Sequence, residues 1–179
     1  MSDAPNLGLS SAGQAAHERL GGHLRVRVGA IILDRPDDPS ALLLVEHEGL
    51  WDDQPFWTPP GGGVNYGESL EEALIREVAE EAGLTVSVGP LAYIVDFVRP
   101  PLHAVSFYFL CTVESGDLTA ALVGRDPELQ GLQLIKSVKL VELDDLAGLR
   151  MYPEGMSDWL RTDTRDGFSS GPRYMRTLR

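Results

Sequence analysis

The sequence predicts a mixed α/β fold in which a mixed sheet lies between helices. Three observations lead there. Short apolar runs rich in Val, Ile, Leu, Phe and Tyr lie on both sides of one strong helix-forming stretch, Leu70–Ala82. The first of these runs begins with polar–apolar alternation and then becomes wholly apolar, the pattern of a strand entering a core. More helix-forming sequence closes the chain, and no internal repeat or low-complexity segment interrupts the order.

Residues 1–22 are small and polar and read as a flexible arm carrying a short helix over Ser11–Leu20. Leu24–Leu33, LRVRVGAIIL, is the first strand. Asp34–Pro39 is a turn, Ala41–Glu46 the second strand, and the two together are expected to form a hairpin. Leu50–Pro60 is an irregular loop holding Trp51, Phe56 and Trp57. Phe56 and Trp57 are expected to pack beneath the helix, whereas Trp51 is a candidate to stack on a base.

A glycine-rich run, Gly61–Gly63, leads into the helix. Ser69 is its N-cap, Glu72 completes a capping box and Gly83 is the residue that stops it. Thr85–Val88 and Leu91–Val98 read as strands broken at Gly89-Pro90, followed by Val105–Val113. A polar loop precedes a returning strand within Leu132–Leu143, centred on Val138–Val141. Short helices follow over Asp144–Leu149 and Met156–Arg161. Residues 163–179 are a tail, flexible or docked on a partner subunit, which leaves 23–162 as a single domain.

A net charge of −12 argues against nucleic acid or an anionic membrane as the main partner. The single cysteine, Cys111, cannot form an internal disulfide and reads as a small core residue in a reducing compartment. No apolar run is long enough to span a membrane, and the first residues lack a secretory pattern, so a cytoplasmic location is expected.

The informative face of the helix carries Glu77, Glu80 and Glu81 at i, i+3 and i+4, beside an apolar seam of Leu74, Ile75, Val78 and Ala82. Three neighbouring carboxylates repel one another. A divalent cation reverses the sign of that interaction, and hard oxygen ligands suit Mg²⁺ or Mn²⁺. The alternative reading, a plain solvated acidic face, accounts for the charges but not for the rest of the spacing. Gly62, Glu68, Arg76-Glu77-Val78, Glu80-Glu81 and Gly83-Leu84 stand at fixed intervals. This pattern resembles the Nudix box at all nine defined positions, a match expected by chance on the order of once in ten million chains of this length.

The resemblance implies an α/β/α sandwich and a hydrolase that cleaves a nucleoside diphosphate from a second moiety with Mg²⁺ or Mn²⁺. It implies that Glu77, Glu80 and Glu81 are metal ligands, one of them doubling as base, with Glu68 a weaker ligand candidate and the Gly61 carbonyl a further one. Arg76 is expected to hold the acidic side chains in position by bidentate contact. Members often use an acid outside the box, and of Glu114, Asp117, Asp126 and Glu128, Glu128 is the best placed. Arg25, Arg27 and Arg99 are candidate phosphate or ribose anchors, which an acidic protein needs locally. His47 and His103 are set aside as bases because the ridge already supplies carboxylates.

Pro100, sixteen residues past Leu84, resembles the ADP-ribose pyrophosphatase branch, which makes ADP-ribose or another nucleoside diphosphate sugar the expected small-molecule substrate. A nucleoside triphosphate pyrophosphohydrolase of the same fold is the alternative, and a non-catalytic sensing module a remote one. The apolar strand Val105–Val113 and the two arms make a homodimer an expectation.

Overall fold

The computed structural model describes residues 11–49, 52, 54–120 and 135–178. In chain order the main elements are α1 (Ser11–Leu20), β1 (Leu24–Ile32), β2 (Ala41–His47), β3 (Phe56–Thr58), α2 (Leu70–Ala82), β4 (Thr85–Arg99), β5 (Leu102–Ser115), β6 (Ile135–Glu142), α3 (Met156–Arg165) and β7 (Arg173–Leu178). Asp145–Gly148 forms a 3₁₀ turn. The strands make two sheets, one ordered β1-β5-β4-β7 and the other β3-β2-β6. The first is mixed, since β1 runs parallel to β5, β5 antiparallel to β4, and β4 parallel to β7.

Alternation along the strands builds two cores, and this makes the molecule an α/β/α sandwich. Val28, Ala30 and Ile32 of β1 and Leu43 and Val45 of β2 pack against Ala73, Leu74, Val78 and Ala82 of α2. The opposite faces give Ile31, Leu42 and Leu44, which pack with Met156 and Leu160 of α3. Both faces of β1 and β2 are therefore apolar where they are covered, which is why these strands read as unbroken hydrophobic runs.

Three expectations are corrected. The segments β1 and β2 do not form a hairpin. Asp34 does close the turn, accepting hydrogen bonds from Ser40 N, Ser40 Oγ and Ala41 N, each at 2.9 Å. Beyond a single bridge between Leu33 and Leu42, however, the strands enter different sheets. One edge of β1 is taken by β5 and the other by the glycine loop, with Ala30 N donating to Pro60 O at 2.8 Å and Val28 N to Gly62 O at 3.0 Å.

Next, Gly89-Pro90 does not break β4. The strand continues through it, and a register shift between Val88 and Leu91 takes up the missing proline N–H.

Last, the tail is not loose over residues 173–178. It adds β7 to the edge of β4. The buried Asp163 carboxylate anchors it, accepting from Tyr93 Oη at 2.9 Å and pairing with Arg173. At the other end α1 is also packed: Ala16 is 1% exposed and Gly22 N donates to Pro101 O at 2.9 Å.

Candidate active site

Local sequence sets the start and end of α2. Ser69 Oγ accepts from Glu72 N at 3.1 Å while the Glu72 carboxylate accepts from Ser69 N at 2.8 Å, and Gly83 ends the helix at φ 67°. With those ends fixed, Glu77 and Glu81 lie one turn apart on the inner side and are only 2% and 3% exposed. The Glu80 side chain, 35% exposed, points toward the rim.

The two buried carboxylates meet the glycine loop. Gly61 N donates to Glu81 Oε2 at 2.8 Å. A Cβ on Gly62 would lie 2.5 Å from either oxygen of Glu77, closer than real side chains approach, so only glycine fits. Gly61 itself is at φ 149°, packed on the β1 backbone at Val28 and Gly29.

Arg76 ties the cluster together. Its Nε donates to Glu68 Oε1 at 2.7 Å and its Nη2 to Glu68 Oε2 at 3.0 Å, a bidentate pair. Nη2 also reaches Gly63 O at 2.9 Å, and Nη1 donates to Glu77 at 2.7 Å and Glu80 at 3.2 Å. Bonding to Glu68 and then to Glu77 keeps the guanidinium protonated at any working pH. The same contact, helped by the Asn65 N–H, holds Glu68 down to about 2.

A cavity of about 170 Å³ opens beside this cluster, with Gly61 in its lining. One face of the larger sheet forms its floor, with Arg25 and Arg27 from β1, Ala104 and Ser106 from β5, and Val95 and Phe97 from β4. His47, Phe56 and Thr58 from the smaller sheet and Tyr152 form side walls. His47 stacks on Phe56 at 5.1 Å and 15°, and Phe56 meets Tyr152 edge-on at 5.2 Å. Burial, and then the charge of Arg27, pushes His47 down to about 3, so it is a neutral ring bonded to Thr58 Oγ1 at 2.9 Å. Arg27 Nη2 donates to Gly61 O at 3.3 Å and so joins the cavity to the glycine loop.

The structure thus gathers Gly61, Glu68, Arg76, Glu77, Glu80 and Glu81 where the glycine loop meets α2, and places Arg25 and Arg27 in the neighbouring cavity. Glu68, expected as a weaker ligand, has both of its oxygens engaged by Arg76 and braces that side chain. Arg99 and Pro100 sit at the β4–β5 turn and are not in the lining of this cavity. Trp51, Asp126 and Glu128 lie outside the described residues. Glu114 is exposed, and Asp117 caps its own turn by accepting from Thr119 N at 2.9 Å. His103 pairs with Asp96 at 3.1 Å.

Sequence reasoning missed the ring wall. Phe56 was expected beneath the helix, yet it faces the cavity because Thr58 and Phe56 share one face of β3. Tyr152 carried no local signal, since its place depends on a distant segment folding back.

The donor set fits a hard divalent cation: two buried carboxylates, a third at the rim and the Gly61 carbonyl, gathered where no side chain intervenes. Among the described residues no three His, Cys, Asp or Glu side chains already converge as a ready cage. Arg76 lies between Glu77 and Glu80 instead.

Comparison with known proteins gives consistent results. A relative in Methanocaldococcus jannaschii named as an ADP-ribose pyrophosphatase is 33% identical over 111 residues, covering 59% of this chain and 61% of the relative. A Bacillus subtilis relative named as a putative 8-oxo-dGTP diphosphatase is 33% identical over 84 residues, covering 47% and 52%. The crystal structure of a NUDIX hydrolase from Nitrosomonas europaea shares the fold, with TM-score 0.63 at 19% identity over 87% of this chain and 79% of that one. The chain spans 30% to 61% of the length of such curated relatives. The family model described as the NUDIX domain matches residues 23–162, and the chain belongs to the NUDIX family.

Proposed function

We propose that the protein is a pyrophosphohydrolase that cleaves the phosphoric anhydride of a nucleoside diphosphate joined to a second moiety, ADP-ribose or another nucleoside diphosphate sugar. The observation that carries this reading is the seating of the Glu77 and Glu81 carboxylates against Gly62 and Gly61, at the edge of a ring-walled cavity floored by Arg25 and Arg27. NUDIX hydrolases in general use divalent ions, and Mg²⁺ or Mn²⁺ suits these oxygens.

Glu77, Glu80, Glu81 and the Gly61 carbonyl would hold the ions. When bound, the ions neutralise phosphate charge, lower the pKa of a water and stabilise the leaving phosphate. The chain's own residues do the rest. Glu68 braces Arg76, and Arg76 fixes the orientation of Glu77 and Glu80. One of the box glutamates takes the proton from the attacking water; Glu128 is the outside acid proposed to assist. Arg27, beside Gly61, faces the diphosphate where it leaves the glycine loop. The stacked His47–Phe56 pair and the apolar side chains of Val95, Phe97 and Ala104 suit a planar heteroaromatic ring, so the nucleobase occupies the cavity.

The relative named for ADP-ribose supports the diphosphate-sugar substrate, and the one named for 8-oxo-dGTP supports a triphosphate. A sensing module without turnover has little support, because every box carboxylate is present. Turnover of a substrate panel with Mg²⁺ and with Mn²⁺ separates the readings. Two monophosphates from ADP-ribose support the first; pyrophosphate released from a triphosphate supports the second; no hydrolysis of either overturns both. No helix among the described residues is long and apolar enough to cross a membrane. A cytoplasmic homodimer is the assembly we propose, and sedimentation of a 19.5 kDa species at micromolar concentration would refute the dimer.

A further inference from the structure

The helix α1 precedes residues 23–162, the span that matches the family model, yet Ala16 and Leu20 from it line the cavity. Two anchors hold it there. Gly22 N donates to Pro101 O at 2.9 Å. Gly21 is so close to the β4–β5 turn that a Cβ on it would lie 3.0 Å from the Pro101 ring. Ala16, 1% exposed, is packed inward and Leu20 is half-buried. The helix is therefore a packed wall of the cavity, facing the same space as the rings of Phe56 and Tyr152 and the β1 arginines.

At a closed wall, side-chain volume translates into room for the ligand. Ala16 has a single side-chain carbon, so it leaves space that any larger residue would fill, whereas Leu20 supplies apolar surface beside it. We propose that α1 is a specificity-determining wall of the substrate cavity, with Ala16 leaving room for a purine and Leu20 packing on it. This rests on the reading above that a nucleobase occupies the cavity. It adds that the choice of base is made partly by a segment outside the NUDIX domain.

Product binding tests this without turnover. AMP and UMP are titrated calorimetrically into the full-length protein and into its Ala16→Phe and Leu20→Ala variants. In Ala16→Phe, AMP affinity is expected to fall about tenfold or more while UMP, with its smaller ring, loses distinctly less. In Leu20→Ala, AMP affinity is expected to fall about threefold.

If the wild type binds AMP and neither variant differs from it, α1 is no wall and the inference falls while the nucleotide reading stands. Equal loss of AMP and UMP in Ala16→Phe overturns the size argument. If the wild type binds neither nucleotide, the nucleotide reading itself falls and the inference with it. Should Ala16→Phe fail to fold, Leu20→Ala decides alone, and unchanged AMP affinity there overturns the proposal.

Discussion

Gly61 N donates to the Glu81 carboxylate at 2.8 Å, across a separation of twenty residues in sequence. The next residue, Gly62, lies against the Glu77 carboxylate. Two successive glycines thus each seat one buried acid, and the loop and α2 behave as one unit. Both acids have lost most of their hydration, so each needs a partner to remain charged. The Gly61 N–H serves Glu81, and Arg76 serves Glu77.

Gly62→Ala is therefore expected to be damaging. Its Cβ would overlap the Glu77 carboxylate, and the helix behind is too well packed to retreat. Overpacking of this kind costs about 1–3 kcal/mol. Displacing Glu77 by about 1 Å should lower turnover about 10²-fold. Gly148→Ala, where a Cβ meets nothing within 4 Å, is the control and should leave both unchanged. Thermal denaturation and steady-state kinetics read the two effects; wild-type turnover in Gly62→Ala would contradict the seating of Glu77 on the loop.

Arg76→Lys tests the brace. A lysine keeps the charge but cannot form the fork that engages both oxygens of Glu68 while also reaching Glu77 and Gly63 O. Truncating one partner of a fully buried pair costs about 3–5 kcal/mol. Arg76 is a quarter exposed, so screening by water brings the expected loss nearer about 2 kcal/mol. Chemical denaturation should show this, together with a fall in kcat larger than any rise in KM. A variant as stable and active as the wild type would mean that Arg76 is a bystander.

Much of the fold and of the acidic cluster could be read from the sequence because both depend on local signals. The capping box at Ser69 and Glu72, the stop at Gly83 and the i, i+3, i+4 glutamates are all fixed within α2. What the sequence concealed depends on long-range pairing. The first apolar run bonds to β5 rather than to its neighbour because Pro60 and Gly62 occupy its other edge. The tail became β7 only because Asp163 and Tyr93 hold Arg173, three residues that no local pattern connects. The ring wall was concealed for the same reason: His47, Phe56 and Tyr152 come from three separate segments.

The low pKa of His47 has a pH consequence. Burial and Arg27 hold it at about 3 in the folded protein, against an ordinary value of 6.5. Unfolded chains therefore bind this proton between pH 6.5 and 3 and folded ones do not, so stability rises with pH across that window. The contribution is full above pH 6.5 and is lost on acidification, the loss reaching about 2 kcal/mol by pH 5. His17, also lowered by burial and by Arg99, acts in the same direction. Asp34 and Glu68 are depressed carboxylates whose contributions are lost only further down, below their ordinary values of 3.8 and 4.5. Melting temperatures of the wild type should fall between about pH 7.5 and 5, and His47→Gln should flatten that slope without abolishing it. An unaltered slope would mean that His47 takes up its proton inside the fold.

The charge on the acidic cluster is tested most directly at Glu81. Glu81→Gln keeps an oxygen that can accept from Gly61 N, so the loop stays tied to α2 and the fold is expected to survive. What is lost is one negative charge, buried at 3% exposure, at the point proposed to hold a cation. Cations should bind less tightly, and charge developing on the phosphate should be less well stabilised. Removing one such electrostatic contact lowers turnover by about 10²–10³. Glu114→Gln makes the same chemical change at an exposed position of β5 and should have no comparable effect. The comparison is made at saturating Mg²⁺ on the best substrate of the panel, with thermal denaturation alongside to separate lost chemistry from lost fold. A folded Glu81→Gln protein that retains wild-type turnover would place the metal site elsewhere, whereas unfolding would direct the same test to Glu77→Gln, where Arg76 can still bond the amide oxygen.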